Sequence, residues 1–296
     1  MSSSEFTNID TLCVNTIRCL GPALVLKANS GHQGMPIGMA PIAHVLFTRV
    51  MHYNPKNPDW LNRDRWLLSN GHGSALQYSM LHLAGYNLTM DMLKDFRQLH
   101  SITPGHPENH MTDGVEATTG PLGQGIAMGV GMALMQSHLA ATYNTKKYPN
   151  VVNNHTFVFL GDGCMMEGVA SEACSLAGHL RLSSLIAIYD DNNITIDGNT
   201  DITFTEDVPK RFEAYGWNVL IVKNGDTDLD AMHKALLDAK KAQAPSLIVL
   251  KTTIGYKSTV SGTPKGHGFN IKTDALKALR KSFNLDNVDD FFFVHK

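Results

Sequence analysis

The sequence predicts an α/β protein: an open, mainly parallel sheet with helices on both faces. Two observations carry that prediction. The first is a set of five short strand-like runs: RWLLS (65–69), TFVFL (156–160), LIAIY (185–189), WNVLIV (217–222) and SLIVLK (246–251). They are continuous rather than alternating in hydrophobicity, the pattern of strands buried on both faces of a parallel sheet. The second is that helical patterns separate the later runs, and strand–helix–strand alternation implies right-handed crossovers. A chain of 296 residues, 43% of them hydrophobic, is long enough to bury a large core without a disulfide or metal staple. Residues 1–285 read as one domain, and 286–296 as a tail or the start of a linker.

In chain order, residues 10–27 carry apolar positions at helical spacing, with Pro22 as a kink or break. SGHQGMPIG (30–38) holds three Gly and a Pro and reads as a loop. A helix is expected over 39–51, the first strand-like run at 65–69, a helix closed by Gly85, and a short helix over 91–100. TPGHPENH and TTGPLGQG are loops, and the second opens a helix over 126–143. Gly125, Gly129 and Ala133 stand four apart there, a stripe of small residues that lets another backbone approach. Helices over 167–180 and 229–242 complete the alternation.

Composition excludes several classes. The charged fraction is 18% and the formal net charge −2, which fits neither a disordered chain nor a binder held by nucleic-acid phosphates. Cys13, Cys19, Cys164 and Cys174 form no C-x-x-C pair, so no zinc knuckle or thioredoxin-type motif is present, and isolated thiols suit a reducing compartment. The N-terminus lacks the basic and apolar regions of a signal peptide. The most apolar run, 126–135, is too short to span a bilayer, and FFFVHK matches no peroxisomal or ER-retention tail. The expectation is a soluble, cytoplasmic protein.

In open α/β sheets, ligands sit beyond the C-terminal strand ends. GDG (161–163) follows the second run directly, and DDNN (190–193) follows the third. A βαβ unit sets those two loops side by side. Asp162, Asn192 and a nearby main-chain carbonyl then offer an all-oxygen site of the kind Mg²⁺ shares with ligand phosphates. The helix N-terminus after Gly163 adds N–H groups and a positive dipole end. The plain alternative is a glycine turn with Asp162 as a helix cap; GDG and DDNN together favour the metal–diphosphate site. No P-loop, dinucleotide fingerprint or HExxH is present. Of 14 His, His32, His72, His106 and His267 stand beside Gly on loops, which points to a His-lined polar pocket. His44, His52, His100, His138, His155 and His179 are assigned no function.

The strings KANSGHQGMPIGMAPIA, RDRWLLSNGHGSALQYSMLHLAGY, FRQLHSITPGHPE, GVEATTGPLGQGIAMGVGMAL, GDGCMMEGVASEACSLAGHL, YDDNNITIDG and KTTIGY closely resemble the N-terminal domain of the transketolase family, over residues 9–281. The resemblance implies a thiamine diphosphate-binding fold. Asp162, Asn192 and the Ile194 carbonyl would hold Mg²⁺ (or Ca²⁺ or Mn²⁺) on the cofactor diphosphate. Gly120 and Leu122 would lie along the cofactor, Gly161 and Gly163 would admit its diphosphate, and Ile196 and Asp197 would flank the thiazolium. His72 and His267 would contact the diphosphate and reach toward substrate, while His32 and His106 would bind sugar hydroxyls. Glu167 would belong to a carboxylate link across a subunit interface. The reaction implied is two-carbon ketol transfer between sugar phosphates in the pentose phosphate pathway, by a homodimer or a complex with a pyrimidine-domain chain.

Three positions depart from the family pattern: Gln33 stands where many members have Pro, Pro264 where many have a second His, and Lys257 where Gly is usual. The last two lie in the loop before His267. A complete transketolase is about twice this long by resemblance, and nothing here replaces its pyrimidine-activating glutamate. The leading expectation is therefore an enzyme component that works with a pyrimidine-domain partner. The alternatives are a non-catalytic thiamine diphosphate-binding or regulatory module, and a self-sufficient enzyme for smaller substrates.

Overall fold

The computed structural model describes residues 5–268 and 271–291 of the chain. Five strands form a single sheet in the order β1-β2-β3-β5-β4: β1 (Arg65–Leu68), β2 (Thr156–Gly161), β3 (Leu185–Asp191), β4 (Asn218–Val222) and β5 (Ser246–Lys251). Every neighbouring pair is parallel. All five lie on the expected runs, and the architecture is the predicted one.

Helices cover both faces. They are α1 (Asn8–Ala28), α2 (Gly34–Gly38), α3 (Ala40–Val45), α4 (Ser74–Leu83), α5 (Met90–Lys94), α6 (Gln124–Tyr143), α7 (Asp162–Met165), α8 (Gly168–His179), α9 (Val208–Ala214), α10 (Leu229–Lys241) and α11 (Thr273–Ser282). Successive strand side chains point to opposite faces. Phe157, Phe159, Ile186, Ile188, Ile248 and Leu250 therefore enter one core, with α1, α3 and α10. Val158, Leu160, Leu185, Ala187, Leu247 and Val249 enter the other, with α6 and α8. A third cluster fills the space between α1, α4 and α11. The small-residue stripe on α6 does what its spacing suggests: a Cβ on Gly125 would stand 2.5 Å from the Ser69 Cα, and one on Gly129 2.5 Å from a Val158 methyl.

Some local expectations fail, each for a tertiary reason. Residues 34–38 are a helical turn rather than loop: Ile37 N–H bonds to the Gln33 carbonyl at 3.2 Å, and the whole turn is buried between α1 and the loop after β5. Helix α1 runs through Pro22 unbroken, its Thr7 cap and Asp10 forming a capping box. The helix expected over 91–100 stops at Lys94, and Arg97 and His100 take left-handed φ of 63° and 65°. The α9 and α11 helices had no expectation. At 21 residues α1 is long and apolar enough to cross a membrane, but 67% of its most apolar window is buried inside the fold, as in a core helix. The cysteines form no disulfide. Of the expected tail, 292–296 lie outside the described residues; before them, Arg280 donates to the Val288 carbonyl at 2.9 Å and pairs with Asp290 at 2.6 Å.

Candidate active site

The C-terminal strand ends open onto a cavity of about 600 Å³. Gly161 pairs in register with Asp190, so Asp162 and Asn192 leave adjacent strands almost level. Asp162 begins α7 and is 5% exposed. Its Oδ1 accepts a hydrogen bond from the Tyr189 hydroxyl. Its Oδ2 is buried and completes no hydrogen bond. Asn192 is oriented from both sides: its Nδ2 donates to Asp190 Oδ2 at 3.1 Å, and its Oδ1 accepts from Ile194 N at 3.0 Å. Asp190 is held in turn by the Thr252 hydroxyl, and Lys251 pairs with Asp191.

Burial, with the Asp191 charge adding to it and hydrogen bonds from the Tyr189 hydroxyl and the Asn193 backbone N–H opposing, pushes the Asp162 carboxyl up to about 6. Burial first, and the Asp162 charge second, push Asp190 up to about 7 against the Thr252 hydrogen bond. A buried carboxylate with so few donors and with acidic neighbours is costly unless a cation balances it. Among the described residues, no three His, Cys, Asp or Glu side chains gather as a metal site. A cation here would draw instead on the Asp162 carboxylate, the Asn192 amide and main-chain oxygen, the hard-oxygen set that suits Mg²⁺ or Ca²⁺. The residues present fit such an ion.

The four loop histidines converge on the same cavity. Ring centroids of His32 and His72 are 4.9 Å apart, His72 and His267 5.0 Å, and His32 and His267 5.5 Å. His72 rides the turn after β1. His106 hangs on a loop whose Pro104 and Gly105 carbonyls accept from Tyr78 and Ser74 of α4, at 2.8 and 2.7 Å. His267 is seated despite Lys257 and Pro264, because its carbonyl accepts from Gly34 N at 3.3 Å. The neighbouring glycines allow these segments to interlock: a Cβ on Gly268 would come within 2.6 Å of the His32 ring. Burial lowers all four imidazoles. His32 falls to about 4, with the His267 charge as second cause, and His72 falls well below the ordinary value although it keeps surface on the cavity. Near neutral pH the pocket therefore holds neutral rings, able to donate and accept.

Stability follows. A histidine lowered in the folded state loses its contribution as pH falls from its unfolded value near 6.5 toward the folded one. For His32 that is up to ~2 kcal/mol between pH 6.5 and 5, reduced to about 1 for its partial exposure. His32→Gln should therefore flatten the acid limb of a thermal-melting profile. Parallel profiles for variant and wild type would contradict this.

Gly120, Leu122, Gly161, Gly163, Glu167, Ile194, Ile196 and Asp197 also line the cavity, so every sequence-selected site residue reaches it. Gly161 faces open space, whereas a Cβ on Gly163 would strike Leu122 at 2.7 Å, so the second glycine serves Leu122. Glu167 is the exposed N-cap of α8. Sequence reading missed Tyr189, Thr252 and Arg97, the last bonded to Ser30 Oγ at 3.1 Å and lowering His32, His72 and His106. All three lie in strings that carry the family resemblance, YDDNNITIDG, KTTIGY and FRQLHSITPGHPE, but their residue types and spacing marked no role of their own. His44 Nε2 hydrogen-bonds Asp10 Oδ1 at 3.0 Å, and His155 Nδ1 lies 3.6 Å from Asp64 Oδ1.

The family model for "Transketolase, thiamine diphosphate binding domain" matches residues 9–296. The chain belongs to the transketolase family. Transketolase 1 of Saccharomyces cerevisiae is 58% identical over 98% of this chain and 42% of its own length. Transketolase from Leishmania mexicana superposes with a TM-score of 0.95 at 52% identity, over 96% of this chain and 42% of its own. A Pichia stipitis transketolase solved with sedoheptulose-7-phosphate superposes equally well, at 52% identity over 97% of this chain and 42% of its own. The chain thus spans less than half the length of these relatives.

Proposed function

We propose that this chain is the diphosphate-binding part of a transketolase, with residues 1–285 as the binding unit, transferring a two-carbon ketol unit from a ketose phosphate to an aldose phosphate. The observation that carries the reading is the joining of a buried, under-satisfied carboxylate on Asp162 with four neutral imidazoles in one cavity. Asp162, Asn192 and the Ile194 carbonyl would hold Mg²⁺ or Ca²⁺, and Gly120, Leu122 and Gly161 would border thiamine diphosphate. When bound, that cofactor supplies the nucleophilic carbon and the electron sink for carbon–carbon cleavage. His32 and His106 would bind sugar hydroxyls, and His72 and His267 would hold the diphosphate and move a proton at the reacting oxygen. Exposed apolar residues on α6, Met128, Leu134 and Met135 among them, with Leu176 on α8, support a homodimer or a pyrimidine-domain partner on these helices. The pentose phosphate pathway and a cytoplasmic setting accompany this reading.

Ketol transfer assayed with Mg²⁺ and thiamine diphosphate tests it. The chain alone should be inactive, and a polypeptide carrying a transketolase pyrimidine domain should restore turnover. Activity of the chain alone would overturn the shared-site reading. Cofactor binding without activity under any pairing would favour a binding or regulatory module.

A further inference from the structure

We infer that Tyr189 is a positioning residue that restricts Asp162 to one-oxygen coordination and thereby sets the cation preference of the site. The inference rests on the reading of Asp162 as a metal ligand and extends it to a residue outside the ligand set.

Tyr189 lies on β3, 3% exposed, with its ring in the core shared with α6 and α8. Strand and core fix the ring, so its hydroxyl cannot swing away. That hydroxyl donates to Asp162 Oδ1. The other oxygen, Oδ2, completes no hydrogen bond, and Asp162 borders the cavity. Tyr189 therefore engages Oδ1 from inside the protein, while Oδ2 has no side-chain partner. Mg²⁺ demands near-octahedral geometry with single-oxygen carboxylate contacts, whereas the larger Ca²⁺ accepts two-oxygen coordination and irregular shells. A phenol locked on Oδ1 favours the first mode. Removing it releases Oδ1 and permits the second.

The test is displacement of Mn²⁺, followed by electron paramagnetic resonance, from this chain with thiamine diphosphate present. Mg²⁺ and Ca²⁺ are titrated in turn against wild type and Tyr189→Phe. Complexation of the cations by free cofactor is common to both proteins and cancels in the comparison. Loss of an outer partner of a metal ligand changes affinity by about 10–100-fold, so the Mg²⁺/Ca²⁺ affinity ratio should fall on the order of tenfold in the variant. A ratio within about twofold of wild type, whatever the absolute affinities, overturns the inference and leaves the metal site standing. Wild type that retains no cation overturns the functional reading and this inference with it. Infrared difference spectra of ¹³C-aspartate-labelled wild type give a check independent of the variant's folding. The wide carboxylate band separation of one-oxygen binding is expected with both cations, and the narrow separation of two-oxygen binding with either would also overturn the inference.

Discussion

Asp162→Ala is expected to abolish metal-dependent binding of thiamine diphosphate while leaving the fold intact. Groups that orient a metal's ligands without touching the metal are worth about 10–100-fold in affinity, so loss of a carboxylate ligand should exceed a hundredfold, about 2.7 kcal/mol. Stability should move the other way. Burial holds the folded Asp162 near 6, above the ordinary carboxylate value of 3.8. A carboxyl raised on folding favours the folded state below its unfolded value, and that advantage is lost as pH rises through about 6. Near pH 7 the cation-free chain therefore carries the cost of a buried charge, roughly 3 kcal/mol with the Tyr189 hydrogen bond already counted. Alanine removes the charge and leaves the Tyr189 hydroxyl without its acceptor, so melting without cation should be unchanged or higher. Calorimetry of cofactor binding with Mg²⁺, set beside thermal melts of the cation-free chain, reads both effects. Unchanged binding would remove the metal assignment. Lost binding with a collapsed melt would show Asp162 to be structural.

Gly34→Ala should be the most damaging of the conservative substitutions near the pocket. A Cβ at this position would lie 2.2 Å from the Gly266 carbonyl oxygen and 2.8 Å from Ile254 Cγ1. The first obstacle is backbone, so no rotamer change relieves it. Gly34 N–H bonds to the His267 carbonyl at 3.3 Å, and its own carbonyl accepts from Gly255 N at 3.4 Å. The methyl must therefore push the His267 loop away from α2. Overpacking of this kind costs about 1–3 kcal/mol, a melting shift of several degrees for a chain of this size. The displaced loop takes its imidazole out of the cluster with His32 and His72, so cofactor affinity should fall with stability. Chemical shifts of ring-labelled histidines would report the displacement directly. A variant with wild-type melting and unshifted His267 resonances would refute this account of the loop.

Much of this was open to sequence reading. Strands β2, β3 and β5 announce themselves because both their faces are buried, which demands unbroken apolar runs. The metal-site residues were legible because GDG and DDNN each end such a run, and the end of a buried parallel strand is where a ligand can reach the backbone. The histidines were legible by their glycines, although the first reason for those glycines proved incomplete. Gly268 and Gly34 do more than leave the imidazoles unobstructed; they allow segments distant in sequence to touch. Residues 34–38 read as loop because local propensity counts Gly and Pro against a helix, whereas burial of all five residues imposes the turn.

By itself the sequence determined the fold class, the strand runs and the strand-end and histidine candidates of the cavity, because these depend on local pattern: which residues must leave water, and which types can stand at a strand end. Only the tertiary structure decided that β5 lies between β3 and β4, that Tyr189 claims Oδ1 of Asp162, and that three histidine rings stand about 5 Å apart. Those are contacts between segments tens to hundreds of residues apart. Their geometry is set by how the two faces of the sheet pack, and no spacing along the chain encodes it.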